Sequence, residues 1–190
     1  MQPAELKIFH KQILVENTYV YSAQWVLLPC TNASITPSLM MERYLQHIRR
    51  ATFSLIRPTR TRSGIDFNIL SSRLSLLAFA PPEEERFSMK LPIRGGLLVQ
   101  KGYAYNGKFA FSVEQGEGGM RLMLELSGFR PLLLGRPNPT KLCRWFYRLT
   151  QALIHKKVCI SFVIRMVEQA CVEKVPVRVV QVSGPEGSDI

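Results

Sequence analysis

The sequence predicts an α+β fold in which a curved antiparallel meander sheet wraps around a long C-terminal helix (a helix-grip arrangement). Three observations lead to this prediction. Apolar and polar residues alternate over most of residues 51–127, which is typical of strands with one buried face. The loops between these runs are short, and short loops join antiparallel neighbours. An amphipathic segment that opens at Pro139, TKLCRWFYRLTQALIHKK, follows the last run and predicts the helix.

The first predicted elements are a strand and a helix. In residues 17–28, NTYVYSAQWVLL, β-branched and aromatic residues recur with period two. A helix over residues 37–50 follows, because Thr36 supplies an N-cap hydroxyl and Pro37 a ring suited to the first turn. Its apolar face consists of Met41, Tyr44, Leu45 and Ile48.

The middle of the chain is interpreted as consecutive strands. Alternation over residues 65–69 and 74–78 predicts two of them, and APPEEER at 80–86 predicts a loop. Residues 87–93 alternate again, with Phe87 among the predicted inward side chains. Gly95 and Gly96 then allow a bend or bulge. Two further alternating runs around the glycine-rich QGEGG predict a hairpin.

The C-terminal region begins with a basic amphipathic helix that opens at Pro139. Residues 158–172, VCISFVIRMVEQACV, are apolar nearly all round, so they are either a buried continuation of this helix or a strand. The run VPVRVVQV predicts a short edge strand. We expect one helix-grip-like domain over residues 1–182 and a disordered tail over residues 183–190.

Charge is the most unusual property of the chain. The formal net charge is +11, and Leu126 to Val167 contains eight cations and no Asp or Glu. A second group of arginines extends from Arg43 to Arg73, opposed only by Asp66. Such surfaces attract nucleic acid, anionic membrane and anionic small molecules. The composition is 46% hydrophobic, which is too apolar for a disordered chain. The first residues do not have the pattern of a signal peptide, and we expect no membrane-spanning helix because Lys156, Lys157 and Arg165 interrupt the longest apolar runs. We therefore expect a cytoplasmic protein.

The sequence provides little evidence of catalysis. No nucleophile elbow, zinc-protease motif or phosphate-binding loop is present, and GEGG lies between two strands. Four separated cysteines and three histidines show no metal-ligand spacing. We therefore predict no catalytic residue, no metal and no cofactor, and the cysteines are interpreted as buried thiols.

Two sets of residues are candidates for binding. The first would line an apolar pocket, with Arg94 at a strand end as the polar anchor for a carboxylate or phosphate; its members are Arg94, Phe109, Phe111, Leu122, Leu124, Trp145 and Leu149. The second lies on the polar side of the C-terminal helix and would face an anionic partner; its members are Arg144, Arg148, His155 and Lys156. For Arg94 and His155, simple exposure to water is the alternative interpretation.

The order of elements, a strand, a helix, a run of antiparallel strands and a long helix, resembles the helix-grip proteins of the START and Bet v 1-like superfamily (SRPBCC), which includes polyketide cyclase-like and lipid-transfer domains. The resemblance covers residues 12–170, including LPIRGGLLV, GKFAFSVEQGEGGMRLMLEL and GFRPLLL. It implies a curved sheet closed by the C-terminal helix around an apolar cavity that holds a lipid, polyketide or similar ligand. This chain departs from the pattern in having one clear helix after the first strand, and in the extra run VPVRVVQV.

Two functions follow from the sequence. The first is binding of a hydrophobic or amphiphilic small molecule, with or without an anionic end, between the sheet and the C-terminal helix. The alternative is a basic surface that binds nucleic acid or anionic membrane. The ligand and the oligomeric state are not indicated by the sequence.

Overall fold

The computed structural model describes residues 5–16, 18–29, 34–103, 105–116, 118–134, 152–171 and 175–183, together with the backbone of residues 188–189. These residues form eleven strands and two α-helices. The strands are β1 (Leu6–Val15), β2 (Tyr19–Leu28), β3 (Ile56–Thr61), β4 (Gly64–Ile69), β5 (Ser75–Phe79), β6 (Glu83–Glu85), β7 (Ser88–Gly95), β8 (Lys108–Gly116), β9 (Gly119–Phe129), β10 (Val177–Gln181) and β11 (Ser188–Asp189). The helices are α1 (Pro37–Ala51) and α2 (Leu153–Ala170).

The strands form one open mixed sheet. Its order is β10-β1-β2-β9-β8-β7-β5-β4-β3, with β11 paired to β1 and β6 paired to β7. Neighbours are antiparallel except for β1 and β10, which run parallel. The prediction of a purely antiparallel meander is therefore wrong at this edge. The chain reaches β10 after α2 instead of through a tight turn, so its direction is not set by a hairpin.

Helix α1 begins where the sequence predicts it. The backbone amide of Leu39 donates to Oγ1 of Thr36 at 3.1 Å, which confirms the N-cap, and Pro37 occupies the first turn. The predicted apolar face is buried and Met40 is buried with it. This face lies on the sheet and carries Tyr44 into contact with β8. We call the side of the sheet covered by α1 and α2 the inner face.

The hairpin predicted around QGEGG is also confirmed. Strands β8 and β9 pair in register from Lys108 with Ser127 to Gly116 with Gly119. Strand β9 then pairs with β2, so the strand that precedes α1 lies beside the strand that precedes α2.

Strand β1 was not predicted from the sequence. Its inward positions include two polar residues: Ile8 and Leu14 are buried, and His10 and Gln12 between them are buried too. Two buried polar residues break the apolar alternation that would otherwise identify a strand. The structure therefore buries groups on this strand that composition alone would place at the surface.

Two local predictions in the middle of the chain are wrong. Glu83–Glu85 form the short strand β6 instead of a loop, and all three side chains are exposed, because pairing with β7 requires only backbone hydrogen bonds. Phe87 is 50% exposed instead of inward-facing, since it lies in the turn before β7 and outside its alternation.

The apolar segment near the C-terminus is helical. Helix α2 extends to Ala170, which decides between the two alternatives left open by the sequence. It packs against β1, β2 and α1 and buries Val158, Cys159, Phe162, Val163, Met166 and Val167. The part of the predicted helix before residue 152 lies outside the described residues. Strand β10 confirms the predicted edge strand in VPVRVVQV.

The glycine pair after β7 forms a bend that positions the next segment. Gly96 has φ +124°, and a Cβ there would lie 2.5 Å from the carbonyl oxygen of Leu76, whereas a Cβ on Gly95, at φ +153°, would meet nothing within 4 Å. After the bend, the amide of Leu98 donates to the same Leu76 carbonyl at 3.0 Å. The bend therefore lays this segment against β5.

We expect Gly96→Ala to destabilise the fold more than Gly95→Ala. Both variants place an L-residue at positive φ, which costs roughly 1–3 kcal/mol, but only Gly96→Ala adds a clash with backbone. Urea unfolding of both variants tests this difference. Equal losses of unfolding free energy would show that the close approach to Leu76 is relieved without cost.

Candidate ligand-binding cleft

An apolar cleft of about 260 Å³ opens between α1, the first turns of α2 and the strands from β3 to β5. Ten of its twelve lining residues are aliphatic or phenylalanine, and the other two are Tyr44 and His155. The lining residues are Tyr44, Ile48, Ile56, Phe67, Leu76, Leu77, Leu98, Leu126, Phe129, Ile154, His155 and Val158. The cleft thus has apolar walls with two polar groups, the composition typical of a small-molecule site.

Side chains at the mouth of the cleft are incompletely covered. Ile154, in the first turn of α2, is 51% exposed, and Leu98 beyond the glycine bend is half-buried. An exposed apolar side chain forgoes up to about 2–3 kcal/mol of burial free energy. A ligand that covers these side chains would recover part of this free energy.

Tyr44 separates the cleft from the core. Its ring centroid lies 5.0 Å from that of Phe109, 5.4 Å from Phe111 and 5.3 Å from Phe162. Its hydroxyl lies 3.7 Å from Sγ of Cys159, and burial raises the pKa of Tyr44 well above its usual value. The hydroxyl therefore stays protonated at physiological pH.

His155 is the other polar group of the cleft, and it is uncharged at neutral pH. Its ring contacts Phe109 at 5.9 Å between centroids. Burial, with a smaller contribution from His10, lowers the pKa of His155 to about 4. The structure therefore directs this residue, predicted to face an anionic partner, toward the cleft.

Cys159 lies beside His155 but is not an activated nucleophile. Its Sγ is 3.7 Å from both ring nitrogens of His155. Burial raises the pKa of the Cys159 thiol to about 12, so thiol and imidazole are both neutral at physiological pH. A reactive cysteine needs a lowered pKa, and this pair has the reverse arrangement.

A buried polar group lies on the inner face of β1 and β2, close to His155. The side-chain nitrogen of Gln24 donates to Nδ1 of His10 at 3.0 Å and to Oγ of Ser22 at 2.8 Å. Burial and the charge of Lys156 lower the pKa of His10 to about 4. Oε1 of Gln24 and Nε2 of Gln12 are buried and have no hydrogen-bond partner among the described residues. The sequence analysis missed this group, whose only signal is polar residues at alternating positions of two strands.

The predicted apolar lining lies next to the cleft instead of around it. Phe109, Phe111, Leu122 and Leu124 are all buried on the inner face of β8 and β9, and none of them is among the cleft-lining residues. Phe111 pairs with Leu124 across the two strands. Tyr44 packs on two of these side chains, Phe109 and Phe111.

Arg94 makes a structural ion pair. Its Nη2 lies 2.6 Å from Oδ1 of Asp66, and its Nε donates to the carbonyl oxygen of Phe79 at 3.2 Å. It is not a lining residue of the cleft. Its guanidinium joins β7 to β4 and β5, which accounts for an arginine between an apolar strand and the glycine bend.

Of the remaining predicted site residues, one lies within the described part of the chain and four lie outside it. Lys156 is half-buried on α2, where its charge acts on His10. Four others, Arg144, Trp145, Arg148 and Leu149, lie outside the described residues. Among the described residues, Cys159 and Cys171 are free thiols.

No protein-family model, curated protein or solved structure matches the chain. The resemblance to helix-grip proteins therefore stays a prediction. Neither described helix combines the length and apolar character needed to cross a membrane. Within the described ranges, no three His, Cys, Asp or Glu side chains are grouped so that they could hold a metal ion.

We expect acid to destabilise the protein between pH 6.5 and pH 4. His10 and His155 have pKa values of about 4 in the fold, against an ordinary value of 6.5. The unfolded chain therefore binds more protons in this window, so the free energy of unfolding falls as the pH falls. Each histidine contributes up to about 3 kcal/mol, and the loss levels off below the folded pKa.

Urea unfolding at a series of pH values, on the wild type and on His10→Asn, measures this effect. The variant should show a shallower dependence on pH, because one of the two groups no longer titrates. An unchanged slope would mean that His10 is protonated as readily in the fold as in the unfolded chain.

Proposed function

We propose that this protein is a cytoplasmic binding protein for a hydrophobic or amphiphilic small molecule, held in the cleft between α1, α2 and the sheet. The observation that carries the proposal is the cleft itself, about 260 Å³ of space with apolar walls and two polar groups, Tyr44 and His155. No catalytic step is part of the proposal.

The polar end of the ligand is uncharged in this proposal. No cation lines the described part of the cleft, and His155 is neutral at physiological pH. A buried carboxylate without a paired charge would cost several kcal/mol. The Tyr44 hydroxyl and the His155 imidazole instead suit a hydroxyl, carbonyl or amide, which exchange neutral hydrogen bonds with them. We therefore replace the anionic end and the Arg94 anchor considered from the sequence with a neutral polar group.

A helix-grip arrangement is part of the same proposal. In its support, β2, α1, the antiparallel strands β3 to β9 and α2 follow one another in the order that led to the resemblance. The pairing of β2 with β9 and the packing of α2 on β2 also favour it. In this arrangement the sheet curves around α2, and the cleft is the space left between them.

The alternative function, a basic surface for nucleic acid or anionic membrane, also stays a prediction. The arginines between Arg43 and Arg73 do not form a continuous surface of unpaired positive charge. Arg60 forms an ion pair with Glu42, and Arg57 donates to Oγ of Ser71 at 2.7 Å and to the Ser54 carbonyl. The ion pair neutralises one of these cations, and the hydrogen bonds orient the Arg57 side chain.

We expect the neutral fluorescent probe N-phenyl-1-naphthylamine to bind in the cleft, and Leu98→Trp to weaken this binding by about tenfold or more, because the larger side chain fills the space. The matched control is Leu74→Trp, at a position that is 48% exposed and outside the cleft lining. Fluorescence titration measures both affinities.

Thermal unfolding confirms beforehand that both variants fold. Equal probe affinity in the two tryptophan variants would place the probe elsewhere and contradict the proposal. Native mass spectrometry of freshly purified protein provides a second test, since the proposal expects a retained small molecule that Leu98→Trp loses.

A further inference from the structure

A second hollow lies between α1 and α2 and differs from the cleft in carrying several charged side chains. It has a volume of about 270 Å³, and its rim carries Arg43 and Arg50 from α1 and Arg165 from α2. Arg43 and Arg50 are seven residues apart, which is about two helical turns, so both lie on one side of α1. We call this site the arginine hollow.

The positive charges of the arginine hollow have no described counter-charge. The ion pairs of other arginines bring Arg60 to Glu42, Arg94 to Asp66 and Arg121 to Glu114. Among the described residues, no carboxylate lies within 4 Å of the three rim guanidinium groups. Like charges held around one concave site repel, and a bound anion would relieve that repulsion.

His47 lines the hollow and lies between Arg43 and Arg50 in the sequence of α1, so its pKa responds to the charges of the site. Burial lowers its pKa, and the charges of Arg165 and Arg50 lower it further. Its Nε2 is engaged with Oγ of Ser161 at 2.9 Å. The arginines therefore supply the charge of the site, and His47 is a neutral part of its wall.

The floor of the hollow is apolar and its edges carry amide groups. Phe162 and Met166 are both 1% exposed, and Nη1 of Arg43 approaches Sδ of Met166 at 4.0 Å. Gln46 and Gln169, both exposed, complete the rim with neutral donors. A floor with little access to water strengthens charge-assisted hydrogen bonds made above it.

We propose that the arginine hollow binds the phosphate group of a small phosphorylated molecule. Guanidinium groups match phosphate oxygens in paired hydrogen bonds and are weakly hydrated, so three of them around one concavity suit a dianion. The site is a single concave hollow between two helices, and the charge of Arg60 is already paired with Glu42. It therefore favours a compact phosphate ester over the extended backbone of a nucleic acid.

This site is independent of the apolar cleft. Tyr44 and Ile48 of α1 line the cleft, whereas Arg43, His47 and Arg50 line the hollow. Occupation of one site does not require the other, and the proposal goes beyond the binding function inferred above.

Isothermal titration with phenyl phosphate, and separately with inorganic phosphate, tests the proposal at fixed ionic strength. We expect both to bind the wild type, and Arg165→Gln and Arg50→Gln each to weaken binding by about tenfold or more, the effect of losing a hydrogen bond to a charged group. The matched control, Arg178→Gln, removes the same charge from an exposed position on β10 and should stay within about twofold of the wild type. Arg50 is exposed near the end of α1, so its variant keeps the test valid even if Arg165→Gln fails to fold.

Three outcomes would overturn the proposal. The first is no detectable binding of either phosphate probe, and the second is an equal loss in Arg178→Gln, which would mean a general effect of net charge. The third concerns a short DNA duplex and vesicles containing phosphatidic acid, titrated in parallel. If either binds more tightly than phenyl phosphate and loses affinity only in Arg50→Gln and Arg165→Gln, the occupant is that polyanion.

Discussion

The contact of Tyr44 with Phe109, Phe111 and Phe162 joins the three parts of the core, since these rings come from α1, β8 and α2. Pairs of aromatic rings at such distances contribute about 0.5–1.5 kcal/mol each beyond their buried area. The ring of Tyr44 fills the point where both helices meet the sheet. Beyond it, toward β4 and β5, the cleft opens between Tyr44 and Phe67.

Helix α1 separates two environments of opposite character. One side of the helix carries Tyr44 and Ile48 toward an apolar cleft, and the other carries Arg43 and Arg50 to a positively charged hollow. Helix α2 supplies residues to both. The same pair of helices therefore lines both an apolar cleft and a hollow rimmed by arginines, which we propose as separate binding sites. This separation follows from the helical period, which places residues one and two positions apart on different faces.

Burial of the polar residues of β1 and β2 beneath α2 lowers the stability of the fold. A buried polar atom without a partner costs about 1–3 kcal/mol, and Gln12 and Gln24 each leave one such atom. The hydrogen bonds of Gln24 to His10 and Ser22 offset part of that cost. His10 and His155 are both neutral at physiological pH. The interior beside the cleft therefore offers hydrogen-bonding groups but no histidine charge. This uncharged environment is the basis on which we propose a neutral ligand group for the cleft.

The local sequence pattern determined those elements that are stabilised by interactions between residues close together in the sequence. The Thr36 cap, the apolar face of α1, the hairpin of β8 and β9 and the edge strand β10 all follow from periodicity or turn chemistry within a few residues. Strand β1 did not follow, because His10 and Gln12 are buried only when β2 and α2 cover them. Arg94 pairs with Asp66, 28 residues away in the sequence, and His155 lines the cleft while its ring contacts Phe109 of β8. The three arginines of the hollow come from two helices, α1 and α2, that lie more than a hundred residues apart in the sequence. Periodicity describes which side of an element is apolar, but only the packing of distant elements decides which side chains meet, which charges are paired and where space remains.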